Sequence, residues 1–178
     1  AQPVLIDVDA ETWNLSVESV RAGLSDSTRA IIAIDQFGCP APSAAIERAL
    51  PDLPLIVDAA CSLGSHDGEL PCGARGMIAC LSFHPRKIVT TGEGGMCLTD
   101  DASLAERLRQ LRNHGQGAPG VFERAAGNQR MSEISAAVGR VQLERLDGML
   151  PQRRRLAQRY RTALPQLTPQ QWPAGAQG

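Results

Sequence analysis

Lysine is all but missing from this sequence. Of 18 basic residues, seventeen are arginine and one, Lys87, is lysine. Richness in Ala, Arg and Gly suggests a GC-rich genome, which disfavours lysine codons everywhere. Arginine carries surface charge equally well, but it cannot lose its proton to act as an amine nucleophile or form a Schiff base. Long apolar runs are also missing. The longest are strand-sized, which excludes a membrane-spanning helix. A net charge of −1 gives no basis for polyanion binding by the chain as a whole. The five cysteines (Cys39, Cys61, Cys72, Cys80 and Cys97) form no C-x-x-C pair. An odd, scattered set argues against a disulfide framework and a zinc knuckle, and is the pattern of reduced thiols in a cytoplasmic protein. His66, His84 and His114 are equally dispersed, so no metal site is expected. AQPVLIDVDAETW lacks a basic region, a signal-type apolar segment and an initiator Met, and the chain reads as a piece of something longer. No internal repeat is visible.

What is present is an ordinary globular composition. The 178 residues, 43% hydrophobic and 21% charged, suffice for one soluble domain plus a short appendage. PVLIDVD (3–9), AIIAIDQFG (30–38), LPLIVDAA (53–60), MIACLSF (77–83) and GGMCLTDD (94–101) read as strands bounded by turn residues. SVESVRAGL places Val17, Val20 and Leu24 on one helical face, and APSAAIERAL (41–50) is a second short helix. Ser103 and Glu106 have the spacing of a capping box ahead of Leu104, Leu108 and Leu111, in a helix that His114-Gly115 stops. QGAPGVFERAAGNQ reads as a glycine-rich loop. A long helix starts at Ser132, with Ile134, Val138 and Val141 on one side and a break or kink expected within 146–151. The tail TPQQWPAGAQG reads as unstructured. Strand–helix alternation with near-continuous apolar strands implies an α/β domain with a mostly parallel sheet between helices.

In such sheets ligands gather at the carboxyl ends of the strands. Asp58 follows four apolar residues there, as a turn or capping aspartate or as a functional carboxylate. Ser82 ends the next strand, and Lys87 follows five residues later. If the two strands are parallel neighbours joined by the crossover Ala59–Gly76, the three groups share one rim. An amine, a carboxylate and a hydroxyl so placed suit pyridoxal 5'-phosphate, although a single lysine is more often a solvated surface charge.

IVDAACSLGS, GELPCGARGMIACLSFHPRKIVTTGEGGMCLTDD, LRNHG and GNQRMSEISAAVGRVQLERLD together resemble the DegT/StrS family of sugar aminotransferases, over nearly the whole chain. The resemblance implies Lys87 as the Schiff-base lysine and proton shuttle, Asp58 as partner of the pyridine nitrogen and Ser82 as a phosphate ligand. It implies Asn128 as a phosphate ligand of the neighbouring subunit, hence a homodimer with shared sites. Gly127 and Gln129 flank Asn128 where aromatic residues are usual. Cys61 stands where many members have Gln or His near the cofactor, the alternative being a buried inert thiol. His84 could stack or hydrogen-bond near the cofactor, or serve packing. GEGG reads as a tight turn into the fifth strand, the one antiparallel strand of the family's sheet. Arg153–Arg155 could meet a nucleotide diphosphate or form a solvated helix face. The partners implied are an amino-acid donor, typically glutamate, and a nucleotide-linked keto-sugar, with neither nucleic acid nor membrane. A lysine at position 87 argues against the family's dehydrase branch, where a histidine takes its place.

By this resemblance residues 1–131 form a partial large domain, 132–165 an interdomain helix region, and 166–178 the truncated start of a small domain or a disordered tail. A missing strand would lie between PVLIDVD and AIIAIDQFG and another would cover GGMCLTDD, leaving strand edges unpaired and the fragment by itself inactive. Two other classes stay open: a relative that binds the cofactor without turnover, and a nucleotide-binding α/β module that does not use Lys87.

Overall fold

The computed structural model describes residues 1–166 and the backbone of 176 and 177. In chain order it contains α1 (Val17–Ala22), β1 (Ile31–Ile34), α2 (Ser43–Ala49), β2 (Leu55–Asp58), β3 (His66–Asp67), β4 (Leu70–Pro71), β5 (Ile78–Ser82) and β6 (Gly95–Leu98). There follow α3 (Ala102–Arg112), β7 (Gln116–Ala118), β8 (Val121–Phe122), α4 (Glu133–Glu144), α5 (Leu146–Ala163) and β9 (Ala176–Gln177). The central sheet has the order β1-β2-β5-β6. Its first three strands are parallel, with Ile34 beside Asp58 and Asp58 beside Cys80. β6 returns antiparallel to β5, pairing Ser82 with Gly95. The mixed, mostly parallel sheet with flanking helices is therefore formed.

Strand alternation decides which residues make the core. Ile31, Ala33, Leu55, Val57 and Ala79 point to one face, where Val20 of α1 and Ile46 of α2 close over them. Each large aliphatic side chain buried here contributes about 1.5–3 kcal/mol. Ile32 and Ile34, one step out of phase, are 61% and 48% exposed on the other face. The crossover from β2 to β5 carries the β3–β4 hairpin instead of a helix, turned at Gly68 with φ +64°. Arg75 ties it down through Asp67 (2.7 Å), and the Gly76 amide donates to Glu47 of α2 (2.9 Å).

Some sequence expectations change. The apolar run 3–9 is not a strand: it forms no ladder, and Val4 and Leu5 are exposed. A strand requires a partner, and no strand among the described residues lies beside it. α3 is capped by Asp101, whose carboxylate accepts from the amides of Ser103 (2.7 Å) and Leu104 (3.1 Å). Asp101 is the last residue with extended φ/ψ, so it holds the capping position that the sequence pattern gave to Ser103. The glycine-rich loop contains the β7–β8 hairpin, reversed through Pro119 and Gly120. Ser132 caps α4 as expected, but the break to α5 falls at Arg145, and Pro151 is carried inside α5. The tail TPQQWPAGAQG (168–178) lies outside the described residues except at 176–177, where the backbone is not unstructured but forms β9 against β3.

Candidate active site

The parallel pairing of β1, β2 and β5 brings their carboxyl ends to one rim. Asp58 ends β2, half-buried. Its Oδ1 accepts from the Ala60 amide at 3.0 Å, while Oδ2 has no hydrogen-bond partner among the described residues. It is thus a turn aspartate and a half-committed carboxylate at once. Ser82 ends β5, and its Oγ accepts from the His84 amide at 3.4 Å, leaving its own proton uncommitted among the described residues.

Lys87 is presented by a closed loop. Phe83 N–H donates to Gly94 (2.8 Å), and Phe83 C=O accepts from the Thr91 amide (3.0 Å) and the Thr90 hydroxyl (3.1 Å). Phe83 and Val89 are buried and anchor this loop between β5 and β6. GEGG reverses the chain as expected, with Gly92 at φ +82°. His84 serves the loop itself: its carbonyl accepts from the Lys87 amide (2.9 Å), and Nδ1 accepts from the Arg86 amide (3.2 Å). From this turn the Lys87 ammonium reaches back to the loop after β2 and donates to Cys61 Sγ at 3.0 Å. Cys61 is therefore not a buried inert thiol. It is exposed and in contact with the only lysine of the chain. The free electron pairs and polar hydrogens on Asp58, Ser82 and Lys87 are the complement that pyridoxal phosphate needs, so the residues present fit it.

Asn128 is not brought to this rim. It lies exposed, in an isolated bridge with Asn113, and its side-chain carbonyl accepts from the Arg130 amide at 3.1 Å. Arg153–Arg155 are exposed on α5, with Arg154 donating to the Gly64 carbonyl at 3.2 Å. Leu150 of the same helix packs where a Gly64 side chain would stand. Among the described residues no group of ligating side chains could hold a metal ion.

Two buried polar residues not marked by the sequence reading hold the rim together. Asp35, 2% exposed at the end of β1, accepts from Ser62 Oγ (2.6 Å) and from the Ala41 amide (2.9 Å). Burial pushes its carboxyl above the usual carboxylate range, against the lowering effect of the Ser62 and Ala41 bonds. The same burial, with Asp35 nearby, pushes the Cys72 thiol up to about 12. Asn14, 1% exposed, donates to the carbonyls of Cys39 and Pro40 and accepts from the Gln36 amide, all at 3.1 Å. Asp35 carried the signal that marked Asp58, a carboxylate directly after an apolar strand. Asn14 carried none, because its partners lie more than twenty residues away.

A family model described as DegT/DnrJ/EryC1/StrS aminotransferase matches residues 1–177. The chain belongs to this aminotransferase family. Solved structures agree with the fold. TlmJ, an aminotransferase from Streptoalloteichus hindustanus, is 32% identical with a TM-score of 0.92, the match covering 99% of this chain and 50% of that one. DesV from S. venezuelae is 30% identical with a TM-score of 0.92, covering 98% and 49%. DesI, solved in the presence of its TDP-sugar product, is 35% identical with a TM-score of 0.84, covering 91% and 42%. This family chain spans half or less of the length of those relatives.

Proposed function

We propose that the protein containing this chain is a pyridoxal-phosphate-dependent aminotransferase that moves an amino group from an amino acid, glutamate by family resemblance, to a nucleotide-linked keto-sugar for amino-sugar biosynthesis. The observation that carries the reading is the placement of the sole lysine. Its amine stands at the carboxyl-end rim, 3.0 Å from the Cys61 thiol in the turn that follows Asp58. DesI, with its TDP-sugar product, supports the substrate class.

When bound, pyridoxal phosphate supplies an electron sink and carries the amino group between the two substrates. Lys87 would hold it covalently at rest. The Nζ of Lys87, when neutral, would serve as the base that takes a proton from the donor's α-carbon and as the acid that returns it. Asp58, with Oδ1 committed to the turn, would hold the ring nitrogen through Oδ2 and favour its protonated form. Ser82 would donate a hydrogen bond from its hydroxyl to the phosphate, and Asn128 would serve the phosphate of a neighbouring subunit in a homodimer. Residues 1–131 would supply the cofactor domain and 132–165 the helical link to a second domain. The free thiols of Cys61, Cys72, Cys80 and Cys97 fit a reducing cytoplasm.

The test uses the full-length protein, purified with pyridoxal phosphate, reduced with borohydride and digested. A pyridoxyl group on the Lys87 peptide, followed by glutamate-dependent amination of nucleotide keto-sugars, is the expected result. Folded protein without that label would remove the aminotransferase reading. A label without turnover by any amino donor would leave a cofactor-binding relative instead.

A further inference from the structure

We propose that Cys61 is a positioning residue for Lys87, its thiol holding the ε-amine at the rim beside the turn that follows Asp58. This rests on the role given to Lys87 above. A lysine amine ends a flexible four-carbon stem and is a mobile point charge unless something fixes it. Among the described residues the side-chain contact of Lys87 Nζ is Cys61 Sγ, at 3.0 Å. The contact suits either state of the amine, since sulfur accepts weakly from an ammonium and a thiol donates weakly to a neutral amine.

Cys61 can act as a fixed post because its backbone is held on both sides. Asp58 Oδ1 accepts from Ala60 N–H (3.0 Å), and the Ser62 amide donates to Ala59 C=O (3.1 Å). Ser62 Oγ is tied to the buried Asp35 at 2.6 Å. The Cys61 carbonyl lies against Gly38, where an added Cβ would sit only 3.0 Å away and where φ is +89°. A cysteine has a single side-chain rotor to its sulfur, so a fixed backbone gives a nearly fixed Sγ. The lysine is thus located by a short chain, from Asp35 through Ser62 to Cys61.

The experiment separates placement of the amine from the shape of the pocket. Full-length protein is stripped of cofactor, and the rate of covalent attachment of pyridoxal phosphate is followed by absorbance in wild type, Cys61→Ala and Cys61→Ser. Affinity for pyridoxamine phosphate, which has no aldehyde and cannot bond to lysine, is measured in parallel. Cys61→Ala is expected to slow attachment about two- to tenfold, the worth of one modest hydrogen bond, with pyridoxamine phosphate affinity unchanged. Cys61→Ser, which keeps a hydrogen-bonding group on the same rotor, should recover part of the rate. Attachment at the wild-type rate in Cys61→Ala would overturn the proposal. So would a parallel loss of attachment rate and pyridoxamine phosphate affinity, which would make Cys61 part of the pocket wall. Wild-type protein that attaches no cofactor at Lys87 would instead defeat the functional reading itself, so the two failures are told apart.

Discussion

Replacing Asp35 by alanine and, separately, by asparagine probes the buried polar knot that sets the rim. Asp35 receives hydrogen bonds from Ser62 Oγ and the Ala41 amide, and Ala41 and Ser62 are 1% and 0% exposed. Alanine strands the buried Ala41 N–H, opens a small void, removes the carboxylate that the Cys72 thiol also meets, and leaves Ser62 the longer bond to the Ala59 carbonyl at 3.3 Å. The loss comes to about 2–4 kcal/mol, offset in part by removing a buried charge. Asparagine keeps the shape. Its carbonyl can accept from Ala41 and its amide can donate to a reoriented Ser62 hydroxyl, so a change of about 1 kcal/mol or less is expected. pH adds a second reading. Burial holds the folded-state pKa of Asp35 above the ordinary 3.8, so the folded protein keeps this proton to a higher pH than the unfolded chain does. Its contribution to stability is therefore full below the ordinary value and is lost as pH rises through the raised one. Wild type should gain on Asp35→Asn as pH falls from 7 towards 4. The assay is urea unfolding of full-length protein by circular dichroism, at fixed cofactor concentration. Equal losses in the alanine and asparagine variants, or a difference that ignores pH, would refute the account.

Lys87→Arg should remove the borohydride-trapped label and lower transamination by about a thousandfold or more, because guanidinium neither forms the covalent link nor shuttles the proton; circular dichroism should stay unchanged. Gly76→Ala should destabilise by about 2–3 kcal/mol, since Gly76 has φ +80° and a Cβ would meet the Leu55 carbonyl at 2.9 Å; the unfolding midpoint reports it. At Gly139 the added Cβ would stand 2.9 Å from Thr91 Cγ2, in the loop that presents Lys87. Gly139→Leu should therefore loosen α4 from that loop, losing about 1–3 kcal/mol and slowing pyridoxal phosphate attachment at Lys87.

The sequence by itself determined much of the frame. Apolar runs ending in turn residues located β1, β2 and β5, where alternate aliphatic side chains are buried, and also β6, although its residues are exposed or half-buried. It also singled out Lys87, through amine chemistry that arginine lacks, and Asp58 and Ser82, through their places at strand ends. The resemblance named the family that the comparisons show. Other features depended on partners remote in the chain. PVLIDVD has strand composition and no strand beside it, so pairing, which propensity cannot supply, decided its state. The capping position went to Asp101 over Ser103 by backbone angles that the residue pattern does not encode. For Cys61 the sequence left open a place near the cofactor or a buried inert thiol, and folding set its sulfur against Lys87, twenty-six positions along the chain. Asp35 and Asn14 hold the rim through hydrogen bonds spanning 27 and 26 positions. Local pattern fixes which residues are buried in a strand or helix; only closure of the tertiary structure decides which distant polar groups meet.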